Sequence, residues 1–436
     1  MIELNESQLK KIAHNYYHPI HHKGLLAVLT QDFILLPCRV TLEFLASMLT
    51  PCAGSGKDCG LGMKMGLHLM YGCLFLIGLF VSPPFLLVGL PLLYYTYQYR
   101  PQIGYLKYGS KDRIARKTNN GVDLRVRTHN IAMLYDHVNI LNDLRPIKDR
   151  INEIIEWIEN DPTQPDIICF QEAFNTEAIK AICDRLGSTY PHIVHSLAPR
   201  FLGFGAGLMT LSQYPIKKVS FRPFQSLGGG EQIANKGLLR TQIEIGPNRV
   251  IDIYNTHLLS MLDRSRCQIR YQQIREIIQW IRSDDPQYYL LMGDFNISKT
   301  TIWNEQNCDD DQSFDLIKEY FKDSLDPATQ KWAGTWYHGP YAHKPLIWLI
   351  KEWIDYHCHG YPYRTPYYPL YHINTWGTHK WNNQPQVSNT RFDYILVDKD
   401  STLAISSQIR HIDLPNHNLE SASSDHLAVD AEIRFN

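Results

Sequence analysis

Six short polar motifs, each beside an apolar run of strand length, constrain the fold of this chain more than any other feature. The runs cover residues 124–128, 167–170, 250–254, 288–292, 392–397 and 427–433. Short apolar runs bounded by polar residues predict buried strands. Because strands that point the same way end at one edge of a sheet, we expect the motifs to meet at such an edge.

The motifs carry the side chains that metal-assisted cleavage of a phosphodiester requires. In chain order they are Asn130, Gln171-Glu172, Asn255-Thr256-His257, Gly293-Asp294-Phe295-Asn296, Arg391-Phe392-Asp393-Tyr394 and Ser424-Asp425-His426. Carboxylates, amides and imidazoles in one cleft can bind a divalent cation, orient a phosphate and activate water. A single Gly-Asp-x-Asn segment is common by chance, so the prediction depends on the whole ordered set.

Between the apolar runs, the sequence has the period of amphipathic helices. Residues 146–159 and 266–282 place isoleucines three and four positions apart, which gives each helix one apolar face. Strands that alternate with such helices predict layers of sheet and helix.

The ordered motifs resemble those of the endonuclease/exonuclease/phosphatase superfamily over residues 123–436. The resemblance implies an α/β (α+β) fold, a four-layer α/β sandwich of the DNase I-like type, with Mg²⁺ as the cofactor. We therefore expect membrane-associated hydrophobic helices with a basic juxtamembrane segment at 1–117 and a catalytic domain at 118–436. An aromatic-rich insertion occupies residues 332–390 of that domain.

The resemblance also implies a role for each acid and base. Glu172 is the expected metal ligand, because Mg²⁺ prefers one or two carboxylates together with water and phosphate oxygens. His426 is the expected general base, and Asp393 would fix its tautomer and orientation. Asp425 is expected beside the metal and the phosphate.

The remaining motif residues are expected to bind the phosphate and the leaving group. Asp294 and Asn296 lie two positions apart, so their side chains face the same side of an extended segment. We expect Asp294 to organise or protonate the leaving group and Asn296 to hold a phosphoryl oxygen. Asn130 would support Glu172 or the phosphate, and His257 would donate to a non-bridging oxygen as charge develops.

The N-terminal part of the chain is apolar. Residues 69–99 contain no charged side chain but are interrupted by Pro83, Pro84 and Pro91. A membrane-spanning helix needs about 20 apolar residues, and the stretches beside the proline pair are shorter. A re-entrant hairpin that turns at the prolines is favoured over one kinked span, because paired prolines remove backbone donors that lipid cannot replace. A buried helical pair in a soluble protein is the third alternative.

Residues 24–49 predict an amphipathic helix that lies on a surface. Basic residues clustered between 100 and 117 are expected to bind anionic phospholipids, which are candidate activators, and to place the catalytic domain on the cytosolic face. A solvated linker is the alternative interpretation of this cluster. The chain has nine unclustered cysteines, which predicts reduced thiols and no disulfide framework.

Within the superfamily, the chain is similar to the membrane-anchored neutral sphingomyelinases. The shared features are two N-terminal hydrophobic segments, residues 212–216, part of residues 332–335 and Asn235-Lys236-Gly237. This implies a phosphodiesterase of the phospholipase C type that hydrolyses sphingomyelin to ceramide and phosphocholine at a membrane. A formal net charge of −1 argues against nucleic acid as a partner. A nuclease of the same superfamily and a non-catalytic membrane scaffold remain alternatives.

Four further side chains are candidates for binding and regulation. Glu231 and Lys236 have the spacing of an acid and a lysine that are implicated in switching the site of those sphingomyelinases. Lys236 would contact the scissile phosphate and Glu231 would hold it away at rest; a surface ion pair is the alternative. Trp332 and Trp336 are candidates to bind a quaternary ammonium over their rings, unless they form an aromatic core within the insertion.

Overall fold

The computed structural model describes most of the predicted catalytic domain and parts of the N-terminal region. The described residues are 1–15, 34–38, 40–41, 61–97, 103–109, 123–134, 147–197, 205–228, 234–247, 249–260, 264–297, 311–325, 391–410, 424 and 426–435.

The described strands form two sheets of seven strands each. The strands of the first sheet are β1 (Ile2–Asn5), β7 (Ile216–Pro223), β8 (Gly237–Gly246), β9 (Arg249–His257), β10 (Tyr289–Asp294), β11 (Phe321–Asp323) and β12 (Asp393–Asp398). They lie in the order β1-β7-β8-β9-β10-β12-β11. The strands of the second sheet are β2 (Gly104–Lys107), β3 (Leu124–Met133), β4 (Ile167–Ala173), β5 (His192–His195), β6 (Met209–Ser212), β13 (Ala404–Arg410) and β14 (Ala428–Arg434). Their order is β13-β14-β3-β4-β6-β5-β2.

The helices with bounds inside the described residues are α1 (Glu6–Asn15), α2 (Leu61–Tyr97), α3 (Ile147–Glu159), α4 (Thr176–Leu186), α5 (Arg264–Asp284) and α6 (Asp311–Tyr320). α3 and α4 cover the outer face of the second sheet, and α5 and α6 cover that of the first. One apolar core fills the space between the sheets, a second lies under α3 and α4, and a third lies under α5 and α6. The predicted four-layer α/β sandwich is thus confirmed, with α3 and α5 burying most of the isoleucines that predicted them.

Parallel pairing carries the motifs to one edge of the sandwich. β3 pairs in parallel with β4, and β9 pairs in parallel with β10. β12 runs antiparallel to β10 and begins where β10 ends, so Asp393 lies opposite Asp294. The ends of these strands therefore form a common edge, as the sequence predicted.

The predicted hairpin at the proline pair is wrong. α2 continues without interruption through Pro83, Pro84 and Pro91. Each proline removes one backbone donor and its ring crowds the carbonyl four residues earlier, yet the helix continues past all three. Residues Leu69–Leu92 have a mean hydropathy of 2.3, with 11% of the segment buried. By length and composition this part of α2 could cross a membrane.

Two parts of the predicted membrane segment at 1–117 belong to the sandwich. β1 pairs with β7, and β2 pairs with β5. Leu9 of α1 is 1% exposed and packs in the core between the sheets. The domain boundary near residue 117 remains a prediction. β1 and β2 were not predicted to belong to the catalytic domain. The predicted surface helix at 24–49 and the basic cluster lie mostly outside the described residues.

The cysteines differ from the prediction at one position. Cys38, Cys73, Cys169 and Cys183 are free. Cys267 is disulfide-bonded, and because the other described cysteines are free, its partner lies outside the described residues. The prediction of reduced thiols is therefore wrong for Cys267, since spacing along the chain does not reveal which distant thiols meet.

Candidate active site

An amide at the end of β3 joins the acids of two other strands. Asn130 Nδ2 donates to Glu172 Oε1 at 3.1 Å and to Asp294 Oδ2 at 2.9 Å. His257 Nε2 lies 3.8 Å from Glu172 Oε1 and 3.5 Å from Asp294 Oδ2. Residues from both sheets therefore converge on one group of oxygen and nitrogen atoms.

This group fits a divalent cation. Glu172, His257 and Asp294 each offer one ligand atom, and these atoms lie within 4.8 Å of one another. The Glu172 side chain is 18% exposed, whereas that of Asp294 is 1% exposed, so Glu172 faces the open side of the cleft. Carboxylate oxygens with room for water are the donors that Mg²⁺ prefers, and the residues present therefore suit that ion.

His426 and Asp393 form a buried pair beside these acids. His426 Nδ1 lies 2.8 Å from Asp393 Oδ2, and an ionised Asp393 accepts the proton of Nδ1. His426 Nε2 is then left with its lone pair, 3.8 Å from Asp294 Oδ2. A histidine held in this tautomer can accept a proton from water.

Two residues without a predicted role position the backbone around His426. Ser424 Oγ donates to the Asn130 carbonyl at 2.6 Å and accepts from the His426 backbone N–H at 3.2 Å. His129 Nε2 lies 3.2 Å from the His426 carbonyl. Burial lowers the pKa of His129 to about 3, so its ring is neutral and Nε2–H is the donor. Its position next to Asn130 was the only sequence signal for such a role.

Arg391, the first residue of its motif, positions Asp393. Its Nε donates to the Asp393 carbonyl at 3.0 Å, and its two terminal nitrogens donate to Asp323 at 2.6 and 3.0 Å. The guanidinium lies 4.3 Å from the centre of the Tyr394 ring. This planar fork holds the start of β12 in place, which a lysine could not do.

Lys236 lies within the site, next to His257. Its Nζ donates to the Leu258 carbonyl at 2.7 Å and lies 3.2 Å from His257 Nε2. Burial, followed by the charges of Lys236 and His426, lowers the pKa of His257 well below its usual range. His257 is therefore neutral, and with Lys236 as donor its Nε2 is the acceptor. Donation from His257 to a phosphate remains a prediction that requires Lys236 to move.

Asp294 is almost completely buried. Burial, as the largest cause, raises its pKa to about 6, so a fraction of the carboxyl groups carries a proton near neutral pH. Its Oδ1 accepts the Asn296 backbone N–H at 2.9 Å, while Asn296 Nδ2 donates to the Leu258 carbonyl at 3.2 Å. The structure thus brings together seven of the predicted residues, which are Asn130, Glu172, His257, Asp294, Asn296, Asp393 and His426. Lys236 joins them, and Asp425, Glu231, Trp332 and Trp336 lie outside the described residues.

Comparison with known proteins gives the family of this chain. The model of the Endonuclease/Exonuclease/phosphatase family matches residues 128–426, a range that contains every site residue described above. The chain therefore belongs to the Endonuclease/Exonuclease/phosphatase family.

The sequence identity between this chain and individual relatives is low. The chain is 28% identical over 190 residues to sphingomyelin phosphodiesterase 5 of Danio rerio, covering 38% of this chain and 33% of that protein. It is 25% identical over 237 residues to a sphingomyelinase C of Bacillus cereus, covering 50% of this chain and 68% of that protein. The matched stretch thus spans only about a third of the Danio rerio relative. A crystal structure of the Staphylococcus aureus beta toxin covers 71% of this chain and 99% of its own at 20% identity, with a TM-score of 0.49.

Proposed function

We propose that this chain is a Mg²⁺-dependent phosphodiesterase of the phospholipase C type that hydrolyses sphingomyelin to ceramide and phosphocholine at a membrane surface. The observation that carries the proposal is the buried His426–Asp393 pair at 2.8 Å, which faces the cluster of Glu172, Asn130 and Asp294. The names of the Danio rerio and Bacillus cereus relatives support the choice of substrate.

Each residue of the cleft has its own role in the proposed reaction. His426 Nε2 takes a proton from water as the water oxygen attacks phosphorus, and Asp393 stabilises the imidazolium that forms. The P–O bond to the ceramide oxygen breaks, and Asp294 in its protonated form gives that oxygen its proton. Lys236 Nζ and Asn296 would hold phosphate oxygens. When Mg²⁺ is bound at Glu172, with Asp294 and Asn130 beside it, the ion neutralises charge on the phosphate.

Attachment to the membrane is part of the proposal. The apolar part of α2 would embed in the bilayer, and anionic phospholipids would bind the basic cluster between residues 100 and 117. Basic residues at this position favour the cytosolic face, whereas the disulfide of Cys267 is more typical of an oxidising compartment. Protease access to the catalytic domain in sealed microsomes tests on which side of the membrane it lies.

Turnover in vesicles tests the function. The full-length protein with Mg²⁺ is expected to release phosphocholine from vesicles of sphingomyelin and an anionic phospholipid, and chelation should stop the release. Parallel vesicles of phosphatidylcholine and of a lysophospholipid test the choice of substrate. Cleavage of abasic DNA without turnover of any choline lipid would support the nuclease alternative, and no turnover of either would support the scaffold.

A further inference from the structure

The end of β3 that carries Asn130 departs from regular strand pairing. The register of β3 against β4 shifts between Asn130 and Met133, so Ile131 and Ala132 lie opposite a single residue of β4, Glu172. An extra residue in one strand bends that strand and re-aims its side chains. This bulge in β3 therefore lies directly beside the expected metal ligand.

The bulge has an unfavourable backbone conformation. Ala132 has a φ of +49° and Glu172, opposite it, has a φ of +58°, which is costly for any residue with a Cβ atom. The Ala132 backbone N–H donates to Asn130 Oδ1 at 3.0 Å. The Asn130 amide is thereby turned so that its Nδ2 donates to Glu172 and Asp294. The direction of this donor thus depends on the conformation at Ala132.

Arg150 of α3 binds the backbone of the bulge. Its Nη1 donates to the Ile131 carbonyl at 3.4 Å and its Nη2 donates to the Ala132 carbonyl at 2.8 Å. These carbonyls belong to the two peptide groups that flank Ala132, so one rigid guanidinium restrains both of its backbone dihedral angles. Arg150 is 0% exposed, and burial of a charged group is costly unless hydrogen bonds offset it.

We propose that Arg150 is a positioning residue for the metal site. It holds Ala132 in the left-handed conformation, and Ala132 in turn aims the Asn130 amide at the two acids. The side chain of Arg150 acts through the backbone and does not touch the substrate. This inference rests on the proposed function for the reaction that it affects, whereas its effect on the backbone of β3 can be measured without turnover.

Removal of the guanidinium tests the contact. Arg150→Met keeps an apolar stem in the core but lacks both donors. In the full-length protein in detergent, it should weaken Mg²⁺ binding, measured by calorimetry, by about 10- to 100-fold. Hydrogen exchange at residues 131–133, measured by mass spectrometry, should become faster, while exchange at residues 290–292 of β10 stays the same. In vesicles, kcat for sphingomyelin should fall with little change in KM.

Restoration by a second substitution separates positioning from simple packing. Glycine adopts a positive φ without a side-chain penalty, so a bulge with Ala132→Gly depends less on Arg150. The Arg150→Met, Ala132→Gly protein should therefore bind Mg²⁺ about fivefold more tightly than Arg150→Met alone. Arg150→Lys, which keeps one donor group, should lie between the native protein and Arg150→Met. No recovery in the double variant would overturn the proposed route through Ala132.

Arg222→Met is the matched control. Arg222 Nη1 donates to the Trp280 carbonyl of α5 at 3.2 Å, outside the metal site, and its side chain is 15% exposed. This variant should lower the thermal unfolding temperature but leave Mg²⁺ binding and exchange at residues 131–133 unchanged.

Two results would overturn the positioning role of Arg150. One is native Mg²⁺ affinity and native exchange at residues 131–133 in Arg150→Met, and the other is equal weakening of Mg²⁺ binding by Arg222→Met. A native protein that neither binds Mg²⁺ nor hydrolyses sphingomyelin would contradict the proposed function instead. Exchange at residues 131–133 would then decide the role of Arg150 by itself.

Discussion

Glu172 combines its expected role in metal binding with an unfavourable backbone conformation. Its φ is +58°, in the left-handed region where a side chain costs about 1–2 kcal/mol per residue. Its carboxylate also lies close to that of Asp294, through their shared donor Asn130. Strain of this kind persists where the surrounding structure fixes it and is often part of a functional site.

We therefore expect Glu172→Gly to abolish turnover without destabilising the fold. Glycine accepts a positive φ at no steric cost, so the free energy of unfolding should stay the same or rise by up to about 1 kcal/mol. Turnover should fall by at least about a hundredfold. The measurements are urea unfolding in detergent with chelator, and sphingomyelin hydrolysis in vesicles.

Glu156→Gly is the matched control, since Glu156 is exposed within α3. Glycine in a helix interior should lower the free energy of unfolding by about 1 kcal/mol and leave turnover unchanged. A Glu172→Gly protein that is less stable than the Glu156→Gly protein would contradict the strain argument.

His195 should make stability depend on pH. Burial lowers its pKa to about 4, below the value of about 6.5 in an unfolded chain. Between these pH values the unfolded state binds the proton and the folded state does not, so stability falls as pH drops from about 6.5 to about 4. The full effect is about 3 kcal/mol at 1.36 kcal/mol per pKa unit.

His195→Gln should remove this part of the pH dependence, because glutamine does not titrate and can still bond to Ser196 Oγ, which lies 2.9 Å from His195 Nδ1. The test compares the free energies of unfolding of the two proteins at pH 5 and pH 8. If the free energies of unfolding of the two proteins differ by the same amount at both pH values, His195 is not the cause of the pH dependence.

At the scale of secondary-structure elements, two buried amides link the sheets beneath the site. Gln171 Nε2 of β4 donates to Asn255 Oδ1 of β9 at 2.8 Å. Asn255 Nδ2 donates to the carbonyls of Phe170 and Met209, both at 3.1 Å. Each amide is fully buried, so the Gln-Glu and Asn-Thr-His motifs each contain one residue that joins the sheets and one that faces the cleft.

Asn255→Ala should be strongly destabilising. It leaves the Gln171 amide and two carbonyls without this partner, and each buried unsatisfied group costs about 1–3 kcal/mol. We expect a loss of about 3 kcal/mol in urea unfolding. Asn160→Ala, which removes an exposed amide bonded to the Glu156 carbonyl at 2.8 Å, should cost less than about 0.5 kcal/mol. Similar losses for the two variants would contradict a linking role for Asn255.

Arg391→Lys tests how β12 positions the catalytic pair. A lysine cannot bond to Asp323 and to the Asp393 carbonyl in the same plane, so we expect kcat for sphingomyelin to fall by about tenfold with little change in KM. Arg185→Lys is the matched control, because Arg185 makes a two-atom contact with Glu159 at the surface. A larger change in KM than in kcat would assign Arg391 to substrate binding.

Sequence patterns predicted the elements whose signals are local. The periodic isoleucines of α3 and the apolar runs of β4 and β10 were sufficient to place the strand ends that carry Glu172 and Asp294. The role of Arg391 was not predictable, because it depends on Asp323, a distant residue whose neighbours carry no motif. The continuity of α2 was also not predicted. The loss of backbone N–H donors at its prolines does not by itself determine whether a helix ends there.

At the scale of the whole molecule, the first fifteen residues complete the catalytic body. β1 extends the first sheet, with Lys218–Glu3 and Lys217–Glu6 ion pairs at 2.8 and 3.3 Å. Leu9 fills the core between the sheets. This role was not predicted, because the apolar and polar alternation of residues 2–5 is too short to identify a strand and its partner lies more than two hundred residues further along the chain.

A protein that lacks residues 1–102 should consequently be poorly soluble and easily unfolded. It loses β1, and Leu9 leaves a cavity of the kind that costs about 2–5 kcal/mol. A synthetic peptide of residues 1–15, added in trans, should raise its thermal unfolding temperature as a function of concentration. The same peptide with Leu9→Ala should have a weaker effect, and equal effects of the two peptides would argue against packing of Leu9.

The pairing of β1 with β7 also sets an order of events during synthesis. A ribosome completes α2 well before it has translated Ile216–Pro223, the partner of the N-terminal strand. β1 therefore stays without its partner strand while more than one hundred further residues are made. The first sheet closes at this edge only when β7 emerges, so the catalytic body is completed late in synthesis.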